Sequence, residues 1–320
     1  METRKEERRR TMSRPLRLNI ISPLNALFIA LCLALAASLS SCQKDLTYGN
    51  LSGETKIDIA FEGAQRATMS TWLFSPSGGQ LFYSLPTNRT TAVDAPSPQF
   101  SAFCYNDDSD INRFEIVSWD DATVTTGATD LLSRSSFGGT LSEIPRGGDP
   151  DEPVLYQPTP LYADTCSMCE GKTLTFRSKS VLTHLKVVVR NIQNIENAVS
   201  VSAALSGMSS RMNLSGLYPV GVPCTIPIYM DMVDSTFSGE ALSFGHCHDS
   251  DKKHVLTIYV MIKDGQKFYH SYDVTSILHE SQASRDILLD IDGLNLPESV
   301  EGGVGTGLDS WTEIRTDINL

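Results

Sequence analysis

Three groups of residues are of types that could do chemistry. The first is Leu39-Ser40-Ser41-Cys42, which closes an apolar run. Short side chains beside a scissile bond suit a peptidase cleft, and a cysteine thiol directly after them is a nucleophile able to take up a diacylglyceryl group. A buried helix that happens to end in Ser-Ser-Cys is the bland alternative. Basic Arg8-Arg9-Arg10, Arg14 and Arg17, then the apolar stretch Ala26 to Leu39, then the small residues, come in an order that a core helix does not need. Cys42 is therefore the expected lipidation site, and residues 1–41 are a signal peptide starting at Met1 or Met12.

The second group is His246-Cys247-His248, with Asp249, Asp251 and His254 close behind. Imidazoles two apart on a strand point the same way, so one ion could bridge His246 and His248, with His254 as a further ligand. Asp249-Ser250-Asp251-Lys252-Lys253 reads more simply as a solvated turn before a strand, so the expectation is a polar hairpin loop and no metal. The third is Cys166-Ser167-Met168-Cys169, which has redox or zinc spacing. It lacks the second pair of a zinc ribbon, and a strand-like segment rather than a helix follows it, so a loop disulfide or free thiols are expected. With Cys104, Cys224 and Cys247, five cysteines lie beyond Cys42. An odd number is not a disulfide scaffold.

Other candidates are weaker. Asp290-Ile291-Asp292-Gly293 lacks the later bidentate acid of a calcium loop and reads as a strand end and turn. Asp107, Asp108, Asp110, Asp120 and Asp121 read as acidic turns. Trp72, Trp119 and Trp311 could stack on sugars, but tryptophans in β-sandwiches more often fill cores. There is no nucleophile elbow, no zinc-protease helix motif and no phosphate-binding glycine loop. The chain is expected to be no enzyme and to carry no cofactor.

The elements that must position these residues follow from composition and period. The apolar run of 14 residues falls short of the ~20 needed to span a bilayer. The expected anchor is the lipid, in which each buried methylene contributes ~0.8 kcal/mol. Residues 1–41 carry seven of the 26 basic and three of the 38 acidic residues, leaving 19 basic and 35 acidic ones beyond them. Such an acidic surface repels nucleic acid, which is not an expected partner.

Residues 42–54 are polar and read as a tether. From 55 to 145 short alternating runs recur: Lys56–Phe61, Met69–Phe74, Gln80–Ser84, Phe100–Tyr105 and Phe114–Trp119, with Gly, Pro, Asn and Asp between them. Prolines and glycines crowd the stretch from 146 to 165, which reads as an extended linker with part of it laid along a sheet edge. Strand patterns resume over 166–320: Ser180–Arg190, Ala198–Leu205, Cys224–Met230, Val255–Ile262, Phe268–Val274 and Asp286–Ile291. Asp264-Gly265 marks a hairpin, Val274 to Ser281 a short helix, and Trp311 a final strand. The expectation is an all-β chain of two sandwich domains, 55–145 and 166–320.

Several pieces, in this order and spacing, resemble the fimbrillin-like lipoproteins of Bacteroidetes, in particular a family known only as a domain of unknown function. They are Cys42-Gln43-Lys44-Asp45-Leu46, Ala203-Ala204-Leu205-Ser206-Gly207-Met208-Ser209, Phe244-Gly245, Leu256-Thr257-Ile258-Tyr259-Val260, Asp264-Gly265, Tyr272-Asp273-Val274-Thr275 and Gly307-Leu308-Asp309-Ser310-Trp311. The resemblance implies two tandem transthyretin-like β-sandwiches, lipid-anchored in the outer membrane. Gln43-Lys44-Asp45 is similar to the export tag for the cell surface, though Leu46 stands where a further acid is expected. The implied function is adhesion or fimbrial assembly and anchoring. The implied partners are fimbrial subunits or host or bacterial surface ligands, met by strand addition. Arg66 is a candidate point of cleavage. Glycan binding for nutrient capture is the alternative.

Overall fold

The computed structural model describes residues 55–62, 69–75, 81–86, 91–95, 99–138, 144–247, 252–281, 284–298 and 310–314. The chain runs through β1 (Thr55–Phe61), β2 (Met69–Phe74), β3 (Leu81–Pro86), β4 (Thr91–Ala95) and β5 (Gln99–Asn106). A small hairpin, β6 (Arg113–Ile116) and β7 (Ala122–Thr125), and the one-turn helix α1 (Arg134–Phe137) follow. Next come β8 (Tyr162–Glu170), β9 (Thr173–Phe176) and β10 (Lys179–Ser180). The remainder is β11 (Thr183–Gln193), β12 (Ala198–Asn213), β13 (Tyr218–Val233), β14 (Thr236–Ser243), β15 (Val255–Ile262), β16 (Lys267–Asp273), α2 (Thr275–Glu280), β17 (Asp286–Asn295) and β18 (Trp311–Glu313).

Two sandwiches stand in tandem. In the first, a sheet ordered β4-β1-β9 and another ordered β10-β8-β5-β2-β3 enclose Ile59, Leu73, Phe100, Ala102, Leu174 and Phe176. In the second, the order is β17-β11-β14-β13-β12-β15-β16-β18. Strand β13 joins its two layers: Tyr218 to Tyr229 pair with β12, and Met230 to Val233 pair with β14. Alternation does what period two demands. Leu185, Val187 and Val189 of β11 and Ile287, Leu289 and Ile291 of β17 turn inward, while Lys186, Arg190, Asp290 and Asp292 turn out. Gly265, at φ +83°, closes the β15–β16 hairpin with the backbone that Asp264-Gly265 announces.

Strand pairing moves the expected boundary. β8, β9 and β10 pair with β5, β1 and β8, so residues 162–180 complete the first sandwich, although 162–165 read as linker and 166–180 as second domain. Conversely, β7 pairs with the far end of β12. A third apolar cluster, with Phe74, Phe103, Val124, Leu161, Met212 and Phe244, spans that junction. The sequence pattern missed β4, β7, β8 and β14. β7 is four residues long, and Thr236-Phe237-Ser238-Gly239-Glu240 carries too little β-branched or aromatic weight to announce β14.

The proline-rich stretch is held against the second sandwich: around Val154 it runs along the free edge of β13, as expected of part of it, and from Pro145 to Gly148 it lies over the face of β15. The Thr225 N–H donates to Pro153 O at 2.9 Å, and Leu155 N–H donates to Thr225 O at 3.0 Å. Tyr259 Oη donates to Pro145 O at 2.7 Å, and Gly147 N–H donates to Thr257 Oγ1 at 3.2 Å. A Cβ on Gly147 would lie 2.4 Å from Val255 Cγ1, and one on Gly148 would lie 2.3 Å from Ser206 Oγ, so only glycine allows this approach. Leu131, Leu132, Phe137, Val154, Ala204 and Tyr259 pack beneath. This cover explains why Val255–Ile262 is an almost continuous apolar run: β15 is buried on both faces.

Candidate functional site

Leu39, Ser40, Ser41 and Cys42 lie outside the described residues, as do Arg66, His248, Asp249 and Asp251. The structure brings His246 and His254 together and adds His279, which the sequence did not connect with them. His246 sits after β14, bridged to Met208 of β12; His254 precedes β15; His279 is on α2. Their ring centroids are 5.3 Å (246–254), 5.4 Å (246–279) and 5.1 Å (254–279) apart. His254 Nε2 and His279 Nε2 are 3.1 Å apart, a hydrogen bond in which one ring donates and the other accepts.

His246 and His254 are buried. Burial first, and the neighbouring His279 second, push the His254 imidazole below the ordinary histidine range; Ser206, Cys247 and Asp273 act in the opposite direction. The turn of helix carrying His279 is tied to His254 itself. His254 N–H donates to Thr275 Oγ1 at 2.9 Å, and Val274 N–H donates to His254 O at 2.9 Å. Gly207, at φ +76° in the bulge of β12, makes the room, since a Cβ there would lie 2.5 Å from His254 Nδ1. His279 lies far along the chain from His254, and no local spacing signals it; only the docking of α2 does.

The cysteines are structural. Cys166 and Cys169 form a disulfide, placed within strand β8 and not in a loop. Cys104, Cys224 and Cys247 are buried thiols. Burial pushes the Cys104 thiol up to about 12, and burial together with Glu152 and Cys247 pushes Cys224 up to about 12, so neither is a thiolate nucleophile at neutral pH.

Aromatic and carboxylate candidates are likewise absorbed by packing. Trp72 Nε1 donates to Tyr105 Oη at 3.1 Å. Trp119 lies 5.7 Å from Phe74 and 5.8 Å from Phe103, and Trp311 lies 5.3 Å from Tyr259 and 5.9 Å from Phe137. All three are partly buried against the cores, and no two of them share a cluster except Trp72 and Trp119. A cleft of 230 Å³ beside His246 and Arg285 has no carboxylate in its wall. One of 250 Å³ holds Asp149 and Glu152, but Glu152 Oε2 already accepts from Gly207 N–H (3.1 Å) and Thr225 Oγ1 (3.0 Å). Asp107 and Asp108 accept from Ser70 and Asn106, and Asp290 pairs with Arg190, so these acids serve turns and strands.

The sheet edges are the remaining feature. β17 pairs in parallel with β11 from His184↔Asp286 to Gln193↔Asn295, and among the described residues no strand lies on its other side. Its outward face carries Leu288, 49% exposed, among Asp286, Asp290 and Asp292. Among the described residues no helix is long and apolar enough to cross a membrane.

Strands in this order define an all-β protein of two tandem sandwiches. The chain belongs to the family of the domain of unknown function DUF5119, whose sequence profile matches residues 40–228. Its fold is similar to that of a candidate adhesin from Bacteroides ovatus, with TM-score 0.57 and 13% identity over 84% of this chain and 95% of that one. The fimbrial anchor protein Mfa2 from Porphyromonas gingivalis aligns with TM-score 0.48 and 10% identity over 76% and 90% of the two chains. A candidate cell adhesion protein from Bacteroides eggerthii gives 0.43 and 12% over 82% and 93%. No curated protein matches the sequence.

Proposed function

We propose that the chain is a non-enzymatic, lipid-anchored protein of the outer membrane and cell surface, acting in adhesion or in the assembly and anchoring of fimbriae. The observation that carries this reading is the open edge of β17, ten residues long. An edge of that length offers unpaired N–H and C=O groups to a partner's strand, and its alternate side chains set the register. The lipobox ending at Cys42 supplies the anchor, and the candidate adhesin of similar fold supports the adhesive role. Glycan capture finds no support in the tryptophans, which pack against the cores instead of forming an exposed plane.

The test has two arms. Protease shaving of intact cells is expected to release the β-sandwich body, and Cys42→Ser is expected to shift the chain from the membrane to the soluble fraction. Crosslinking before lysis is expected to trap a second protein whose contact maps to β17. A chain resistant to shaving, or a Cys42→Ser chain still held in the membrane, removes the anchoring reading. Only uncrosslinked monomers on the cell surface remove the assembly reading.

A further inference from the structure

The histidine cluster is a group of chemically able side chains that this proposed function leaves unused. Its members come from three separate elements, yet their ring centroids form a nearly equilateral triangle with sides of 5.1, 5.3 and 5.4 Å. Metal–nitrogen bonds to imidazole are about 2.0–2.1 Å long, so three rings on one tetrahedral ion hold their centroids about 5 Å apart. The triangle has that size. Two rings already bring their Nε2 atoms to 3.1 Å, close to the edge of such a tetrahedron.

As the rings stand, no three His, Cys, Asp or Glu side chains among the described residues surround an ion position. What is missing is orientation and not place. Histidine χ2 is broad and roughly two-fold, and a half-turn exchanges ring carbon for nitrogen without moving the centroid. His254 is fully buried, and a Cβ on Gly207 would lie 2.5 Å from its Nδ1, so glycine lets β12 close on this ring and holds it in place, with Nε2 toward His279. The nearby Cys247 and Asp273 are committed elsewhere: Cys247 Sγ to Met208 O at 3.7 Å, Asp273 to Thr275 N–H at 3.1 Å and to Lys253 Nζ at 3.6 Å.

We propose that His246, His254 and His279 are the ligands of a divalent transition ion of the zinc class, which fastens α2 to the β12–β15 face. Imidazole donors suit zinc, copper or nickel over calcium or magnesium. Three protein ligands leave a fourth position for water or for a donor from outside.

The experiment uses the untagged full-length chain in detergent, stripped with a chelator and titrated with Zn²⁺ and Co²⁺. One equivalent of either ion is expected to bind, with the d–d absorption of a four-coordinate cobalt site and a higher melting temperature. His246→Gln and His279→Gln are each expected to weaken binding at least tenfold, whereas His184→Gln, His248→Gln and His270→Gln leave it unchanged. No uptake, or uptake insensitive to both ligand variants, overturns the proposal; so does binding that depends on His248 but not on His279. Should either ligand variant fail to fold, X-ray absorption of the zinc-loaded natural chain decides: three imidazoles in the first shell support the site, and two or fewer sink it.

Discussion

Cys104 and Cys224 show how far the tertiary surroundings reset a residue's chemistry. Both thiols have been pushed from 9.0 up to about 12 by burial, and the buried tyrosines Tyr105, Tyr259 and Tyr272 are also raised. The sign of the linkage is fixed. In the unfolded chain these groups lose their protons at ordinary values, while in the folded chain they keep them, so their contribution is whole below about pH 9 and lost as pH rises toward 12. Urea midpoints are therefore expected to fall steadily between pH 8.5 and 11 at constant ionic strength; a flat profile contradicts it. Cys104, Cys224 and Cys247 should resist alkylation in the native chain at pH 8 and react once it is unfolded. Glu152→Ala leaves the buried Gly207 N–H and Thr225 hydroxyl without their acceptor, which is expected to cost roughly 1–3 kcal/mol in denaturant unfolding. Glu152→Gln, which keeps one acceptor oxygen, should cost less.

Among the elements, the stretch from Pro145 to Leu155 is the one whose role differs most from its composition. Proline removes donors and glycine removes side chains, and both properties suit a segment that lies over β15 and then pairs along the edge of β13. Arg146 steadies it from outside, its Nη1 donating to Pro150 O at 2.9 Å and Glu152 O at 2.7 Å. Gly147→Val would drive a Cβ into Val255, Thr257 and Ser271, all within 2.6 Å of that position. The segment is expected to lift, so that trypsin cuts at Arg146 several-fold faster and amide exchange in β15 accelerates. Equal cutting rates in the two chains would mean that the cover is not held by this contact.

Across the whole molecule, the third apolar cluster decides whether the sandwiches behave as one body. Phe74 and Phe103 of the first, Val124 of the small hairpin and Met212 of the second share it, with Trp119 edge-on to Phe74 and tilted against Phe103. Scanning calorimetry is expected to show a single cooperative transition for the natural chain. Trp119→Ala should remove roughly 3 kcal/mol, in line with other large aromatic truncations, and split that transition in two. A Trp119→Ala chain that melts as sharply as the natural one would locate the coupling elsewhere, in the β7–β12 pairing.

Local period was enough to read the all-β class, the β15–β16 hairpin, the short helix α2 and most long strands, because alternation and turn residues report on a segment's own two faces. The apolar run, its basic flank and the small residues before Cys42 pointed to export and acylation in the same local way. Partners across a sheet leave no such mark. That β8 to β10 complete the first sandwich, that β7 joins β12, and that the proline-rich segment covers β15 are consequences of which hydrophobic faces must close on each other. His246 and His254 were legible as candidates through their nearness in the chain, whereas His279 joined them only when α2 packed against the sheet. Contacts between distant segments are set by the packing of the entire chain, and only the tertiary structure carries that information.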